Sequence, residues 1–362
     1  MSIPKKMRGL VQLDKKEPFN LQLCEIDVPE LKHGYVLIRV QRVGICGSDL
    51  HAAACNPNFS FVPPLMTFGH EAEGIIVALG EGVENWAPDD RVTFLSIYGC
   101  GDCIQCNRGW HQLCSKDKKV QGFHENGAMA EYVLVQAERL VKLEDNIPFG
   151  QGALVEPLTI LTRGFEQLPA NWLQNDFRVF VSGPGPIGLL GAMAARHMGI
   201  EDITVIGHEV YDAPHRIPLA QNLGFKTDTD GPNAPFFEKL GEEGDQELRC
   251  DVYLECSGAN EPLQNAPKLL RKGGKTIIVA TYAEPEVSFD ATVANRAEQG
   301  YYPTHGGTHH DYEVALRMIS EGMFTPEILG HFTAEFPLDD IVDAFHQAHE
   351  GKVGKPIITI SD

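Results

Sequence analysis

The sequence predicts an α/β protein with two domains, one rich in β-strands and one built on a doubly wound parallel sheet. Its 362 residues exceed the usual size of a single hydrophobic core, so two domains are expected. Strand, glycine-rich turn, helix and strand follow one another over residues 178–206, and strand patterns recur at 251–255 and 275–280. This alternation predicts a parallel sheet with right-handed crossovers, whereas strand and turn patterns dominate the preceding chain.

Composition and charge place the chain among ordinary globular proteins and argue against several partners. Hydrophobic residues make up 43% and charged residues 22%. The formal net charge of −20 disfavours nucleic acid and anionic membranes, because both repel an acidic surface. Residues 1–6 lack an apolar signal core, and the most apolar run, 179–195, is broken by glycines and prolines. A reducing, cytoplasmic location is therefore predicted, in which the nine cysteines are thiols or metal ligands.

The first elements place a cysteine between two glycines. A β-rich run at 36–40 predicts a strand, and Gly44 and Gly47 flank Cys46 just beyond it. Glycines on both sides let the backbone come close to a metal ion or a substrate. Residues 73–92 then predict two strands joined by a glycine-containing turn, and residues 130–135 predict another strand.

The sharpest motif is a group of four cysteines with the spacing C-x2-C-x2-C-x7-C. They are Cys100, Cys103, Cys106 and Cys114. Four thiolates match a closed, tetrahedral zinc site. An iron–sulfur cluster is the rival interpretation, but the common ferredoxin run places its fourth cysteine three residues on rather than seven. Because four ligands leave no position for a substrate, we assign this zinc to folding and leave a role in subunit contact open.

Four other polar positions, far apart in the sequence, form a second candidate metal site. They are Cys46, the adjacent pair His70 and Glu71, and Glu156, which is predicted to lie just ahead of a helix. One thiolate, one imidazole and one carboxylate give zinc three protein ligands and leave its fourth position open, which distinguishes a catalytic zinc from a structural one. None of these stretches is specific by itself, because a lone histidine beside glycine is more often structural than a ligand.

A glycine-rich turn lies between the strand predicted at 178–182 and the helix predicted at 189–197. Its sequence is G-P-G-P-I-G, and its candidate cofactor-binding residues are Gly183, Gly185, Pro186, Ile187 and Gly188. The glycines permit a tight turn and close approach to a pyrophosphate, and the helix N-terminus favours its negative charge. A strand at 203–206 completes the context that the dinucleotide fingerprint requires.

The residues after that second strand bear on cofactor choice. An acidic residue about 20 positions beyond the glycine motif usually binds the ribose 2′-hydroxyl, and here Gly207 takes that place. The missing acid leaves room for a 2′-phosphate, with His208, His215 or Arg216 as cationic partners. Glu209 opposes this interpretation, because it either hydrogen-bonds the ribose or repels the phosphate. On balance the segment favours NADP over NAD.

From about residue 295 the chain leaves the α/β alternation. Helices are predicted at 312–320 and 338–349, and a final strand at 356–360. A glycine-rich, exposed loop without metal is expected for His305, His309 and His310.

Together these residues resemble the zinc-dependent medium-chain dehydrogenase/reductase family, within its polyol and threonine dehydrogenase-like branch. The resemblance spans essentially the whole chain and rests on the order of G-I-C-G-S-D-L-H at 44–51, G-H-E at 69–71, the cysteine lobe at 100–114, A-E-Y-V at 130–133, V-E-P-L at 155–158 and G-P-G-P-I-G at 183–188. It implies a GroES-like β-rich catalytic domain formed by residues 1–158 and 296–362, and a Rossmann domain at 159–295. It also implies an active site in the cleft between them and a homodimer or homotetramer.

The same resemblance implies the roles of the metal-site residues. Cys46, His70 and Glu156 correspond to the catalytic zinc ligands, and Glu71 to a neighbouring carboxylate that enters the coordination shell or contacts zinc through water. Classical alcohol dehydrogenases of this family use a thiolate where this chain has Glu156. The carboxylate therefore points to the polyol-like branch.

The implied reaction is the reversible oxidation of an alcohol to a carbonyl with NAD(P), in which zinc acts as a Lewis acid. Ser48 is placed to accept the alcohol proton and His51 to carry it onward, because histidine titrates near neutral pH. The structural alternatives are a turn hydrogen bond for Ser48 and a polar helix-start position for His51. The expected substrate is a polyol, a sugar or another vicinal hydroxy compound, with simple secondary alcohols or ketones as the alternative.

Two alternative functions belong to other classes of protein. A non-catalytic dinucleotide-binding protein on the same fold is disfavoured, because the complete ligand set is retained. A zinc hydrolase that uses water at the open metal position is disfavoured, because the dinucleotide motif would then have no purpose.

Overall fold

The computed structural model describes residues 3–212, 214–231, 234–240, 246–282 and 286–361. The chain divides into two compact units. The terminal unit comprises Met1–Thr159, Gly306–Phe324 and Thr333–Asp362, and the middle unit comprises Ile160–His305 and Thr325–Phe332. Every helix within the described ranges is too short or too polar to span a bilayer.

The first segment of the terminal unit consists mainly of strands. Its elements in order are β1 (Lys6–Gln12), β2 (Leu21–Asp27), β3 (Tyr35–Gly44), α1 (Gly47–Ala53), β4 (Glu71–Leu79), β5 (Arg91–Phe94), β6 (Ile97–Tyr98), β7 (Lys119–Val120), β8 (Tyr132–Gln136), β9 (Leu140–Lys142) and α2 (Val155–Glu166), the last of which continues into the middle unit. Short 3-10 turns occur at Pro57–Phe59, Cys106–Arg108, His111–Leu113, Ala137–Arg139 and Gly152–Leu154.

The middle unit alternates strands and helices. Its elements are β10 (Arg178–Ser182), α3 (Pro186–His197), β11 (Asp202–Ile206), α4 (Arg216–Asn222), β12 (Lys226–Asp228), α5 (Ala234–Lys239), β13 (Cys250–Glu255), α6 (Asn260–Leu269), β14 (Leu270–Ile278), α7 (Ala291–Arg296) and β15 (Gly300–Pro303). The remaining chain forms α8 (His309–Ser320), α9 (Pro326–Phe332), β16 (Thr333–Pro337), a 3-10 turn at Leu338–Asp340, α10 (Ile341–His349) and β17 (Lys355–Thr359).

The largest sheet of the terminal unit is mixed and has the order β16-β17-β3-β4-β5-β9. Strand β8 pairs with the first half of β3. Strand β3 is its centre, and buried Val36, Ile38 and Val40 of β3 belong to the main apolar core. Helix α10 contributes Ile341 and Phe345 to the same core, at the spacing of one helix face. This packing ties the last segment of the chain to the first.

The sheet of the middle unit is entirely parallel and has the order β12-β11-β10-β13-β14-β15. Numbered from β10, this is the order 3-2-1-4-5-6 of doubly wound dinucleotide-binding folds. The order reverses between β10 and β13, so ligand is expected outside the carboxyl ends of these two strands.

Several sequence-based element predictions are confirmed and three are corrected. Strand β10 coincides with the predicted residues 178–182. The parallel sheet continues past the predicted end of the Rossmann domain at residue 295, because β15 pairs with β14. Glu156 lies within the first turn of α2 rather than ahead of the helix. His309 and His310 begin α8 instead of lying in a loop, because Thr308 caps that helix.

Candidate metal and dinucleotide sites

Cys46, His70 and Glu71 converge in the terminal unit, where one ligand atom from each lies within 4.8 Å of the others. The sheet explains the convergence, because the end of β3 pairs with the start of β4 and Gly44 lies opposite Glu71. Cys46 precedes α1 and His70 immediately precedes β4. A Cβ atom at residue 44 would lie 2.5 Å from Glu71 Oε2, so glycine at this position makes room for the carboxylate.

Asp49 lies close to the first two of these residues. Its Oδ2 accepts a hydrogen bond from the Cys46 backbone N–H at 3.0 Å, and its Oδ1 lies 3.6 Å from His70 Nδ1. The other ring nitrogen, Nε2, lies 3.4 Å from Ser48 Oγ. Burial alone would lower the pKa of His70, but the charges of Asp49 and Cys46 outweigh it and raise this pKa well above its ordinary value.

Glu71 forms a buried ion pair with Lys355 at the start of β17. Lys355 also donates to the carbonyl of Ile45 at 3.0 Å, and only 2% of the residue is exposed. Burial would lower the pKa of Lys355, but the charges of Glu71 and Cys46 outweigh it and hold the pKa above its ordinary value. The second oxygen of Glu71, Oε1, is buried without a hydrogen-bond partner among the described residues. A buried acceptor of this kind is suited to a metal ion.

Glu156 lies close to this group but outside the set of atoms that share the 4.8 Å separation. Its Oε1 accepts a hydrogen bond from Ser96 Oγ at 2.5 Å. Burial raises the pKa of Glu156, while the charge of His70 opposes that rise. The carboxylate is therefore near enough to interact with the histidine, although its part in coordination stays a prediction.

The donor set fits zinc, and any three of its four ligands would leave one position open. A thiolate, an imidazole and two carboxylates are ligands that zinc accepts, and three of the four residues are buried. The close approach of Cys46, His70 and Glu71, together with the unpartnered Glu71 Oε1, gives an ion a place to bind.

The four cysteines of the 100–114 lobe form a second group whose sulfur atoms all lie within 4.8 Å of one another. Cys103 Sγ is 3.4 Å from Cys106 Sγ and 3.8 Å from Cys114 Sγ. Backbone N–H groups, of which that of Cys106 acts most strongly, lower the pKa of Cys103 to about 5 and favour its thiolate. A Cβ atom at Gly99 would lie 2.6 Å from Cys106 Sγ, so only glycine fits there. This arrangement suits a closed tetrathiolate zinc site.

Ser48 and His51 both lie on α1. Ser48 is beside His70, whereas the exposed His51 ring stacks 6.2 Å from Phe59. Partial burial lowers the pKa of His51, and the charge of His349 lowers it further. Within the described residues no hydrogen bond joins Ser48 to His51, so their roles in proton transfer stay predictions.

The three glycines of the turn between β10 and α3 differ in their steric surroundings. Gly183 has a φ of 93°, and a Cβ there would lie 2.9 Å from the Ser257 backbone. A Cβ at Gly188 would lie 1.9 Å from the carbonyl of Gly183. Gly185, the residue before α3, has open space around its Cβ position, and Pro186 and Ile187 form the first turn. The turn therefore fits a pyrophosphate approaching the N-terminus of α3.

Gly207 follows β11, and its surroundings are tightly packed. A Cβ there would lie 2.8 Å from Ile217, 3.1 Å from Asp212 and 3.1 Å from Pro184. Asp212 uses both carboxylate oxygens nearby, because Oδ2 accepts from the His208 N–H at 2.9 Å and Oδ1 pairs with Arg216 at 3.3 Å. Both carboxylate oxygens of Asp212 are thus engaged within this segment.

Sequence reasoning did not identify Asp49, Ser96, Asp212 or Lys355. A usable signal existed for Asp49, because an acid three residues after a helix-capping position is typical of a capping box. Lys355 offered no local signal, since 284 residues separate it from Glu71.

Two family models match the chain. The model described as Alcohol dehydrogenase GroES-like domain matches residues 32–145. The model described as Zinc-binding dehydrogenase matches residues 186–321.

Relatives of established name cover nearly the whole chain. The chain is 32% identical to sorbitol dehydrogenase of Halalkalibacterium halodurans over 329 aligned residues. The aligned region covers 90% of this chain and 92% of the relative. The chain is 30% identical to D-arabitol-phosphate dehydrogenase of Enterococcus avium, with 98% and 97% covered. The crystal structure of 2R,3R-butanediol dehydrogenase from Bacillus subtilis matches with a TM-score of 0.83 at 26% identity, covering 98% of this chain and 100% of that chain. These matches confirm the predicted fold class.

Proposed function

This chain belongs to the zinc-dependent medium-chain dehydrogenase/reductase family, and we propose that it oxidises a secondary alcohol of a polyol, sugar or related hydroxy compound to the carbonyl. The enzyme class is a zinc-dependent, nicotinamide-linked dehydrogenase acting on CH–OH groups. The observation that carries the proposal is the convergence of Cys46, His70 and Glu71 within 4.8 Å.

The substrate class follows from the named relatives and from the donor set. Sorbitol, D-arabitol phosphate and 2R,3R-butanediol, after which the relatives are named, each carry neighbouring hydroxyl groups. A second hydroxyl on the substrate is able to approach the same open metal position. We therefore expect activity on vicinal diols to exceed activity on simple secondary alcohols.

The chain's own residues have separate tasks in the reaction. Cys46, His70 and Glu156 would hold the ion, and Glu71 would lie beside it with Lys355 as its counter-charge. Asp49, 3.6 Å from His70 Nδ1, supplies a negative charge next to the imidazole. When bound, zinc would supply Lewis acidity for the substrate oxygen and the nicotinamide cofactor would supply a hydride acceptor. Ser48 receives the alcohol proton as it releases its own hydroxyl proton, and His51 accepts that proton and passes it toward solvent.

For the cofactor we propose NADP over NAD. Position 207 carries glycine instead of the acid that usually binds the ribose, and Asp212 is paired with Arg216 and the backbone of His208. Arg216 is half-buried and held in place, which suits a cation that meets a 2′-phosphate. Comparison of kcat/KM with the two cofactors tests this choice, and a strong preference for NAD would refute it.

The decisive experiment mixes the purified protein with each cofactor and a panel of polyols, and follows the absorbance of the reduced cofactor. Turnover of at least one vicinal diol is expected. Cys46→Ala should lose one zinc and most activity while the fold persists, whereas Cys24→Ala serves as a control thiol outside both metal groups. Full turnover in a Cys46→Ala protein shown to lack that zinc would contradict the assignment. Binding of cofactor without any turnover would instead favour a non-catalytic protein.

We further propose a cytoplasmic location and a homodimer or homotetramer. Support for the location comes from the cysteine chemistry, since free thiols in two metal-binding groups require a reducing compartment. Light scattering on the purified protein measures the assembly, and a strictly monomeric mass would refute the second part.

A further inference from the structure

Three buried side chains from separate elements meet beside the predicted metal site. Ser96 lies between β5 and β6, and its hydroxyl donates to Glu156 Oε1 at 2.5 Å. The backbone N–H of Ser96 donates to the Tyr312 hydroxyl, on α8, at 3.2 Å. The exposed fractions of Ser96 and Tyr312 are 3% and 1%, so both hydrogen bonds are shielded from water.

These contacts restrict the carboxylate of Glu156. A serine hydroxyl has a single proton to donate, and a bond of this length to a carboxylate is charge-assisted and about twice as strong as a neutral one. The bond engages one of the two carboxylate oxygens. Because the backbone of Glu156 is also fixed in the first turn of α2, the direction of the other oxygen is largely determined.

Tyr312 fixes Ser96 in its turn. Ser96 lies between two short strands, where its carbonyl accepts from the Gln121 N–H at 2.9 Å. The Tyr312 hydroxyl accepts the Ser96 N–H on the other side of the same peptide segment. Removal of the tyrosine hydroxyl would leave a buried N–H without a partner, which disfavours the present position of Ser96.

We propose that Ser96, held by Tyr312, is a positioning residue that aims the free oxygen of Glu156 at the catalytic zinc. The proposal rests on the proposed function, because it requires an ion held by Cys46, His70 and Glu156. Removal of a residue that orients a metal ligand typically weakens metal affinity by about 10–100-fold. Neither Ser96 nor Tyr312 touches the ion in this scheme, so both act through Glu156.

The test measures zinc affinity rather than turnover. The full-length protein, loaded with both zinc ions, is titrated against a chromophoric chelator. Ser96→Ala should weaken the catalytic zinc by about 10-fold or more and leave the tetracysteine zinc unchanged. Tyr312→Phe should shift the affinity in the same direction by a smaller factor. Ser361→Ala is the matched control, because Ser361 Oγ donates to the Val40 carbonyl at 2.7 Å, away from both metal groups.

A spectroscopic readout separates positioning from a purely structural role. With cobalt in the catalytic site, the visible absorption of Ser96→Ala should differ from that of the wild type, and Ser96→Thr should restore it because the hydroxyl is retained. Unchanged zinc affinity in both Ser96→Ala and Tyr312→Phe would overturn the proposal. If Ser96→Ala does not fold, Tyr312→Phe alone decides. A wild-type protein that holds only the tetracysteine zinc would refute the proposed function and this inference together.

Discussion

Lys355 pairs with Glu71 beside the predicted metal site, although the two residues are 284 positions apart in the sequence. The two side chains are 3% and 0% exposed, so both charged groups are removed from solvent. Such a pair is costly to assemble, and removal of one partner is costlier because the other charge stays buried and uncompensated. Lys355 therefore supports the carboxylate that lies next to the predicted metal ligands.

Replacement of Lys355 by methionine should destabilise the protein by about 3–5 kcal/mol, because Glu71 would keep a buried charge without its partner. Urea denaturation measures the free energy of unfolding. Lys352→Ala is the control, since Lys352 and its partner Glu350 are 55% and 50% exposed and such pairs contribute about 0–1 kcal/mol. Equal denaturation midpoints for the two variants would contradict the role assigned to Lys355.

Single residues also mark the limit of sequence reasoning about the site. Cys46, His70 and Glu71 were predictable, because each lies in a short motif whose chemistry suits zinc. Ser96 and Lys355 were not, because their partners Glu156 and Glu71 lie 60 and 284 residues away. Only the pairing of strands and the packing of helices brings such residues together.

At the scale of elements, the glycine-rich turn was readable from the sequence because its strand, turn and helix are local. The environment of Gly207 was not, since it depends on Ile217 and Pro184 from neighbouring elements. The sequence could show that the usual acid is missing. Packing shows in addition that a side chain there would require Ile217 to shift.

The glycines at 185 and 188 should respond differently to the same substitution. Gly185→Ala should fold with an almost unchanged Tm and bind the nicotinamide cofactor more weakly, because its Cβ would enter space that is open toward the pyrophosphate. Gly188→Ala should lower Tm, because its Cβ would lie 1.9 Å from the carbonyl of Gly183. Thermal unfolding and cofactor fluorescence distinguish the two. A Gly185→Ala variant with wild-type cofactor affinity would argue against phosphate binding at this turn.

The end of β13 carries a buried carboxylate that should make stability depend on pH. Glu255 accepts hydrogen bonds from the Ser257 N–H at 2.9 Å and from the Tyr282 hydroxyl, and burial raises its pKa above the ordinary 4.5. The folded protein therefore holds the proton at a higher pH than the unfolded chain does. This group should lower the free energy of unfolding as the pH rises from 4.5 through the raised pKa.

Glu255→Gln removes the titration while keeping the shape of the side chain. Melting curves of wild type and variant across this pH range should therefore diverge, with the variant losing less stability as the pH rises. Parallel curves would show that Glu255 does not contribute to the pH dependence.

At the scale of the whole molecule, the two metal groups are expected to serve different purposes. The cysteine lobe has a closed set of four sulfur ligands, whereas the Cys46 group leaves an open position. Cys103→Ser should therefore lower Tm or impair assembly, because metal binding to a closed site contributes directly to folding. Elemental analysis and calorimetry together test the division. One missing zinc with an unchanged Tm would contradict it.

The fold class was largely predictable, because a fully parallel sheet leaves a regular alternation in the sequence. The end of the middle unit was harder to predict, since β15 has few residues and follows helix α7 without a clear strand pattern. The return of α8, β16, α10 and β17 to the terminal unit rests on long-range packing. Such packing has no counterpart in local sequence periodicity.

The place of β17 between β16 and β3 has a consequence for biosynthesis. A ribosome adds about 5–20 residues per second, so Lys355 emerges roughly 15–60 s after Glu71, the residue it neutralises. The middle unit, whose main segment ends at His305, is complete while the terminal unit still lacks its closing strand. We expect nascent chains to acquire protease resistance in the middle unit first and in the terminal unit only after β17 has left the ribosome, an order that limited proteolysis of stalled chains of increasing length would reveal.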